Sequence, residues 1–308
     1  MTADLDLATR ILQDACGDRV RVGLPMAPLT TFRIGGPAAL YLEPDDERDL
    51  AAAADAIVRA RVSFVVLGKG SNVLVDDEGF PGVVLRLGKG FRWTARDGDA
   101  IMAGAAMPLP ALAGVAARHG LDGLAFAVAI PASLGGAVRM NAGAHGGEIA
   151  DVVTSVDVFS LIDGERRTIE ADEAGFAYRR SALPAHAVVV GARFTLTTGD
   201  PATIREAMDE ARRWRRDTQP IAEPNCGSVF TNPPNGHAAA LIDAAGLKGA
   251  RVGHAVVSTK HANFIVAEPG ARASDVRALI ELIRSRVASD SGVWLEPEVR
   301  VIGGDDAA

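Results

Sequence analysis

The segment from residue 130 to residue 147 restricts the fold of this chain more than any other part of the sequence. Half of its residues are glycine or alanine. Such a run gives a hydrophobic core few large side chains, but it leaves the backbone open to a flat ligand such as a flavin or a nucleotide. Close packing of one backbone segment against another is the alternative explanation of the same pattern.

A second glycine loop follows a short apolar run at residues 64–67. Its sequence is Gly68, Lys69, Gly70, Ser71, Asn72. The two glycines allow backbone amides to turn toward an anion, and Lys69 adds positive charge. A tight turn between two strands is the alternative. The sequence contains neither a Walker-type phosphate loop nor a dinucleotide fingerprint after a strand, so a P-loop fold and a Rossmann fold are not predicted.

The composition is that of an enzyme-sized globular chain. Its 308 residues, 48% of them hydrophobic, are enough for two domains. A formal net charge of −7 argues against nucleic-acid binding. Cys16 and Cys226 alone make neither a disulfide framework nor a CxxC metal site. The chain starts without a signal-peptide pattern, and no apolar run approaches the ~18 residues that span a bilayer. We therefore expect a cytoplasmic protein that binds neither nucleic acid nor metal and does not insert into a membrane.

Apolar spacing predicts helices and strands that interleave without a regular βα repeat. Helices are predicted at residues 44–58, 108–119, 204–214, 238–245 and 274–287, the last of them capped by Ser274. Strands are predicted at residues 64–67, 83–87, 152–159, 188–196, 228–231 and 263–266. The pattern changes near residue 200, which is the best candidate for a domain boundary.

Seven short motifs occur in a fixed order along the chain. They lie at residues 31–36, 68–75, 130–147, 176–181, 225–233, 260–264 and 295–299. Each motif is weak alone, but their order is that of the UDP-N-acetylenolpyruvoylglucosamine reductase family. From about residue 28 to residue 303 the chain resembles this family. It leaves no room after Arg179 for a tyrosine-bearing loop, so it resembles the family's shorter form.

The resemblance implies an α+β fold with an FAD-binding domain of the vanillyl-alcohol-oxidase or para-cresol-methylhydroxylase type. This domain would take residues 1–199 and consist of two α/β lobes that divide near residue 100. A smaller α+β substrate domain would follow at residues 200–291. A C-terminal strand, within residues 292–308, would return to the active site. We expect a monomer or a weak dimer.

The resemblance also implies the chemistry. Non-covalently bound FAD, reduced by NADPH, would deliver a hydride to the enolpyruvyl double bond of a UDP-sugar in peptidoglycan precursor synthesis. Arg179 would stabilise the negative charge that develops on the substrate, and Ser228 would donate a proton. Glu298 would act beside the substrate carboxylate. Glu296, two residues earlier, is the rival by position.

Binding residues follow from the same motifs. The implied cofactor-binding residues are Arg33, Gly68, Lys69, Gly70, Ser71, Asn72, Val73, Pro131, Ser133, Gly135, Gly136, Asn141, Ala142 and Gly143. Tyr178 and Asn232 match substrate-binding positions, whereas Lys260 is a candidate from its charge only. The chain departs from the family at Ala129 and Ala132, where glycine is usual near the flavin.

Two other functions fit parts of the sequence. One is a flavin oxidoreductase of the same fold that acts on a small alcohol or sugar. The other is a nucleotide-sugar binder without catalytic activity. The presence of Arg179, Ser228 and Glu298 at their motif positions favours the reductase.

Overall fold

The computed structural model describes residues 3–304, which form two compact units. The first unit contains the chain up to Gly23, together with Ala39–Lys69 and Gly82–Arg213. The second contains Leu24–Ala38, Gly70–Pro81 and the chain from Trp214 onward. The outermost residues of the predicted domain ranges, 1–2 and 305–308, lie outside the described part of the chain.

These units differ in two respects from the predicted division at residue 199. The later boundary lies between Arg213 and Trp214. Two early segments, Leu24–Ala38 and Gly70–Pro81, belong to the second unit. Gly70–Pro81 contains Val73–Val75, which pairs in parallel with the distant strand Arg300–Ile302. Leu24–Ala38 hydrogen-bonds in turn to Gly70, Asp76 and Asn225. Such long-range contacts leave no signal in the local sequence pattern. The limits of the functional domains stay predictions.

Helices and strands interleave along the described chain without a regular alternation. The helices are α1 (Leu5–Cys16), α2 (Glu47–Ala60), α3 (Leu109–Arg118), α4 (Leu134–Arg139), α5 (Pro201–Thr218), α6 (Ala238–Ala244) and α7 (Ala273–Ser291). The strands are β1 (Val20–Pro25), β2 (Pro37–Leu42), β3 (Phe64–Val66), β4 (Val73–Val75), β5 (Phe80–Leu85), β6 (Thr94–Asp97), β7 (Ala100–Gly104), β8 (Leu121–Asp122), β9 (Gly143–Ala144), β10 (Gly147–Glu148), β11 (Val153–Ser160), β12 (Arg166–Glu170), β13 (Ala187–Thr195), β14 (Thr197–Thr198), β15 (Arg251–Val252), β16 (Ala255–Val257), β17 (Ile265–Ala267) and β18 (Arg300–Ile302). The predicted α+β class is confirmed.

Helices α1 and α2 share one hydrophobic core of the first unit with a sheet ordered β1-β2-β5-β3. Helix α2 begins behind Asp46, whose carboxylate accepts the amides of Arg48 and Asp49. Its apolar residues recur every three or four positions, so Leu50 and Ile57 are buried on one face. The glycine loop at residues 68–72 follows β3, which pairs in parallel with β5. This sheet therefore sets the point from which the loop departs.

An antiparallel sheet ordered β12-β11-β13-β7-β6 builds a second core in the same unit, together with α3 and α4. Helix α4 lies inside the long glycine-rich segment, which was not predicted to be helical. The amide of Gly135 donates to the carbonyl of Ala105 at 2.9 Å. A Cβ at Gly135 would lie 3.1 Å from the Cβ of Ala105, so glycine allows α4 to approach this closely.

The second unit is built from the antiparallel sheet β15-β16-β17, helices α6 and α7, and the β4–β18 pair. The apolar face of α7 is fully or nearly buried at Val276, Leu279 and Ile283. Apart from the strand at 228–231, the helices and strands predicted from apolar spacing are confirmed, with ends displaced by a few residues. Within residues 3–304 no helix is both long and apolar enough to cross a membrane.

Two local predictions are wrong. Residues 228–231 do not form a regular strand; they make a single bridge, from Phe230 to Pro297. A proline has no amide proton, so it cannot extend a ladder of hydrogen bonds. Ser274 does not cap α7, which begins at Ala273 behind Arg272. The carboxylate of Asp77 accepts the amides of Ala273 and Ser274 instead.

Candidate active site

A cleft of about 510 Å³ lies in the first unit where α4 meets the loop after β3. Five residues predicted to bind a cofactor line it: Gly68, Lys69, Ser133, Gly135 and Gly136. They come from both glycine-rich segments, which the fold brings together. Pockets for small molecules and cofactors span about 300–1,000 Å³, so the volume suits such a ligand.

The two glycine-rich segments approach closely at this cleft. A Cβ at Gly68 would lie 2.5 Å from the Oγ of Ser133, and one at Gly136 would lie 3.4 Å from the same atom. Without side chains at these positions, part of the cleft wall is bare backbone. A flat or extended ligand can therefore contact that wall directly.

The cleft carries a strong excess of positive charge. In the described part of the chain, the lining contains one carboxylate, that of Glu43, and five cationic residues: Lys69, Arg86, Lys89, Arg92 and Arg139. Burial lowers the pKa of Arg139, and its guanidinium donates to the carbonyls of Leu183, Pro184 and Ala187. A cleft of this charge attracts an anionic ligand such as a diphosphate.

The other predicted cofactor residues divide between the two units. Pro131, Asn141, Ala142 and Gly143 lie in the first unit, outside the lining of the cleft. Five more lie in the second unit: Arg33, Gly70, Ser71, Asn72 and Val73. Val73 begins β4, and the carbonyl of Gly70 accepts the amide of Thr31 at 2.9 Å. Their contacts with a cofactor stay predictions.

Arg179 occupies a two-residue turn in the first unit. Ala177 and Arg180 close this turn by exchanging both backbone hydrogen bonds, each 3.0 Å long. The φ angle of Arg179 is 58°, in the left-handed region that favours glycine. Its Nη2 donates to the carbonyl of Gly143 at 2.9 Å, and its Cζ lies 4.8 Å from the centre of the Tyr178 ring. The turn and these contacts hold the cation in place.

Ser228 and Glu298 lie on two extended segments that hydrogen-bond to each other in the second unit. The amide of Glu298 donates to the carbonyl of Val229 at 2.7 Å, and the amide of Thr231 donates to the carbonyl of Glu296 at 3.0 Å. Ser228 is thus one residue from the contact that holds Glu298. Glu298 is partly buried, whereas its rival Glu296 is exposed.

Two asparagine side chains fix the backbone around this pair. Asn263 accepts the amide of Phe230 at 3.0 Å and donates to the carbonyl of the same residue at 2.8 Å. Its side chain therefore bonds to Phe230 as the backbone of a neighbouring strand would, on the side away from residues 296–298. Asn72 donates from Nδ2 to the carbonyl of Glu298 at 3.1 Å. Both segments are held in place by the second unit itself.

The thiol of Cys226 is buried two residues before Ser228. Burial raises its pKa, and the nearby negative charge of Glu298 raises it further. The thiol is therefore protonated at neutral pH and is a poor nucleophile. Cys226 therefore serves as a packing residue in the core of the second unit.

The predicted substrate-binding residues make contacts within the protein. Asn232 accepts the amide of Ala238 at 3.0 Å, at the start of α6. The ammonium of Lys260 donates to the carbonyl of Arg216 at 2.6 Å, in the last turn of α5. Tyr178 is about half exposed beside Arg179. Their contacts with a substrate stay predictions.

Known proteins resemble this chain along most of its length. Residues 38–170 match an FAD-binding domain, and residues 219–302 match the C-terminal domain of UDP-N-acetylenolpyruvoylglucosamine reductase. The UDP-N-acetylenolpyruvoylglucosamine reductase of Heliobacterium modesticaldum is 47% identical over 281 residues, covering 91% of this chain and 89% of the relative. That of an Anaeromyxobacter species is 45% identical over 300 residues, covering 97% and 93%. The chain belongs to the UDP-N-acetylenolpyruvoylglucosamine reductase family.

The fold agrees with the family. A crystal structure of UDP-N-acetylenolpyruvylglucosamine reductase from Thermus caldophilus matches this chain with a TM-score of 0.79 at 38% identity. The match covers 92% of this chain and 98% of the other. Together with the FAD-binding domain, it confirms the predicted fold, with FAD as the cofactor and NADPH as the reductant.

The sequence analysis did not identify several residues of the cleft and of the Ser228 segment. The cleft cations Arg86, Lys89 and Arg92 lie outside the glycine-rich segments, and a basic residue in a turn is usually a solvated surface group. Asn263 lies within a recognised motif, directly before an apolar strand, and that position was the available signal. Within residues 3–304, no three histidine, cysteine or carboxylate side chains come together as metal ligands would.

Proposed function

We propose that this protein reduces the enolpyruvyl double bond of UDP-N-acetylglucosamine enolpyruvate with NADPH, giving UDP-N-acetylmuramate for peptidoglycan synthesis. The supporting observation is the hydrogen bond from the amide of Glu298 to the carbonyl of Val229, 2.7 Å long. In a chain of this family, that contact keeps a carboxyl group and the Ser228 hydroxyl on adjoining segments. Arg179 supplies the third group that the reaction requires.

The cationic, glycine-walled cleft of the first unit fits FAD held without a covalent bond. Bare backbone at Gly68 and Gly135 accommodates an extended ligand, and Lys69, Arg86 and Lys89 complement its diphosphate. When bound and reduced by NADPH, FAD supplies the hydride that adds to C3 of the enolpyruvyl group.

Arg179 stabilises the negative charge that develops on the substrate carboxylate as the bond to C3 forms. Its guanidinium is always charged and planar, which suits a carboxylate that becomes an enolate. The turn and the Gly143 carbonyl hold it before the substrate arrives. A charge positioned in advance needs no reorganisation during the reaction.

Ser228 donates the proton that C2 of the substrate receives. A serine hydroxyl is a weak acid, so the negative charge on the neighbouring substrate carbon is needed to draw the proton. Glu298 acts beside the substrate carboxylate, where its protonated form can donate a hydrogen bond. The backbone contact with Val229 keeps Glu298 close to the Ser228 segment.

The UDP-sugar substrate is held by Tyr178, Asn232 and Lys260. The Tyr178 ring is about half exposed next to Arg179, so part of its surface can contact a ligand. An ammonium has three donors, so Lys260 can bind a phosphate oxygen while it keeps the carbonyl of Arg216.

A cytoplasmic location is part of the proposal. Cys16 and Cys226 are both buried and unpaired, as is usual in a reducing compartment. A monomer or a weak dimer stays our prediction for the oligomeric state.

The proposal is tested by the rate of NADPH consumption by the purified yellow protein. We expect steady turnover with UDP-N-acetylglucosamine enolpyruvate and a much slower rate with UDP-N-acetylglucosamine, which lacks the double bond. Equal rates with the two sugars, or NADPH oxidation driven by oxygen alone, would identify an oxidase and refute the reductase. Tight binding of the substrate without any turnover would instead identify a nucleotide-sugar binder.

A further inference from the structure

Asn141 is fully buried just after α4, and both the nitrogen and the oxygen of its side-chain amide form hydrogen bonds within the protein. Its Nδ2 donates to the carbonyl of Ala177 at 3.1 Å. Its Oδ1 accepts the amide of Ala150 at 2.9 Å. Ala177 is the first residue of the turn that carries Arg179. The Asn141 side chain therefore anchors the start of that turn to the glycine-rich segment.

The same segment holds the turn at a second point. The carbonyl of Gly143, two residues after Asn141, accepts the guanidinium of Arg179 at 2.9 Å. A Cβ at Gly143 would lie 3.2 Å from Nη1 of Arg179, so the backbone can approach the guanidinium because residue 143 has no side chain. Residues 141–143 thus hold both the start of the turn and its functional side chain.

The backbone at both ends of this connection is in the left-handed region. The φ angle is 42° at Asn141 and 58° at Arg179. Such conformations cost free energy in residues other than glycine, and they persist where surrounding contacts determine them. The bonds from residues 141–143 to residues 177 and 179 are contacts of that kind.

We infer that Asn141 is a positioning residue for Arg179 and does not contact the cofactor with its side chain. The inference rests on the proposed role of Arg179. The side-chain amide of Asn141 holds the turn, the turn positions the guanidinium of Arg179, and the guanidinium contacts the substrate. A displacement of about 1 Å at a reacting centre can slow catalysis by about 10²-fold, so loss of this anchor affects the step that needs Arg179.

The test uses Asn141→Asp in the FAD-loaded protein. Aspartate has the same shape and tolerates the left-handed backbone. Its ionised carboxylate still accepts the amide of Ala150 but cannot donate to the carbonyl of Ala177, whereas the protonated form that burial favours could donate, so the measurements are made at mildly alkaline pH. Ser160→Ala is the matched control. The Ser160 hydroxyl is also buried and accepts the amides of Ile162 and Asp163, in a turn that carries no predicted site residue.

Three measurements separate positioning from a general structural role. We expect the oxidation of reduced flavin by substrate to slow about 10- to 100-fold in Asn141→Asp. We expect the Kd for FAD and the rate of flavin reduction by NADPH to stay within about twofold of the unaltered protein. Hydrogen exchange in peptides covering residues 177–181 should become faster, because the turn loses an anchor. Ser160→Ala should leave all three unchanged.

Two outcomes would overturn the inference. One is a large increase in the Kd for FAD, or an equal loss of both half-reactions, which would make Asn141 a cofactor contact. The other is unchanged hydrogen exchange at residues 177–181, which would overturn the inference even if the activity of the variant fell. If Asn141→Asp does not fold, Asn141→Gly is measured in its place, because glycine adopts the left-handed backbone without strain and removes the donor to Ala177. Failure of the unaltered protein to turn over the substrate would refute the proposed function, a result separate from the exchange data.

Discussion

Left-handed backbone at residues other than glycine is concentrated in the segments that carry the site. Within residues 3–304 such φ angles occur at Arg61, which ends α2, and otherwise at Arg33, Asn141, His145 and Arg179. Three of these last four are residues that the motifs assign to binding or catalysis. Strained backbone persists where contacts over-determine it, and such places are often functional sites. The conformation of Arg179 is therefore part of how its charge is positioned.

Ser228→Ala tests the proton donor. The first half-reaction, reduction of flavin by NADPH, needs no proton from Ser228 and should keep its rate. The second, reduction of the enolpyruvyl group, should slow by about 10²–10⁴-fold, the usual contribution of a general acid. Rapid-mixing absorbance of the flavin measures each half-reaction separately. Ser291→Ala is the control, because it removes a hydroxyl that bonds to Val287 and Val293 at the end of α7. An equal effect of the two variants would contradict the role.

Arg179→Lys tests whether a fixed guanidinium is required or a positive charge is sufficient. Lysine keeps the charge but loses the planar group that meets both the Gly143 carbonyl and the Tyr178 ring. We expect about a 10- to 100-fold loss of substrate turnover, measured as kcat, with the FAD content unchanged. The neighbouring Arg180 is exposed, so Arg180→Lys should retain full activity. A lysine variant as active as the unaltered protein would show that charge alone is sufficient.

At the scale of single elements, helix α7 takes its N-terminal cap from a residue far away in the sequence. The carboxylate of Asp77 accepts the amides of Ala273 and Ser274 at 2.7 Å and 3.1 Å. Burial acts to raise the pKa of Asp77, but these hydrogen bonds and the nearby Arg272 outweigh it, and the pKa lies below its usual value. The ionised carboxylate is thus the form that the folded unit favours.

Asp77→Ala should lower the free energy of unfolding by about 1 kcal/mol at neutral pH, the usual contribution of a helix cap. Because the folded state lowers the pKa, this stability is fully present above the unfolded value of about 4 and is lost as the pH falls through the folded pKa. Denaturant unfolding of both proteins from pH 7 to pH 2.5 measures the effect. Asp290→Ala, on an exposed residue at the other end of α7, is the control. A difference that grows toward low pH would contradict this account.

The sequence was informative about elements and much less so about what joins them. Apolar spacing located α2, α3, α5, α6 and α7 because each buries one face. It missed α1, near the start of the chain, and α4, whose glycines and alanines give little periodic signal. It also placed a strand at residues 228–231. There Phe230 bonds to the side chain of Asn263 and makes a single bridge to Pro297, and neither contact leaves a period in the sequence.

The same distinction holds for the site. The order of the motifs was enough to select Arg179, Ser228 and Glu298 as candidates, but it could not show that Glu298 bonds to Val229 or that Asn141 reaches Ala177. Those contacts join residues between 36 and 69 positions apart, and only the folded backbone brings them together. The cationic cleft was missed for the same reason, since its residues come from several segments.

At the scale of the whole molecule, the cofactor should contribute to stability. A ligand that binds only the folded protein raises the free energy of unfolding by RT ln(1 + [L]/Kd), which is about 2.7 kcal/mol when the ligand concentration is a hundred times Kd. Removal of FAD should therefore lower the Tm by several degrees, and added FAD should restore it. FMN lacks the second phosphate and the adenosine, so it should restore less, because fewer of the cleft cations are satisfied. Equal rescue by the two flavins would contradict the role given to those cations.

The central claim is that one flavoprotein transfers a hydride and a proton to the enolpyruvyl double bond. The most direct measurement mixes the anaerobically reduced protein with UDP-N-acetylglucosamine enolpyruvate and follows the flavin absorbance. We predict that the oxidised flavin spectrum returns within a turnover and that one UDP-N-acetylmuramate forms per flavin. A protein whose flavin stays reduced until oxygen is admitted would contradict the account.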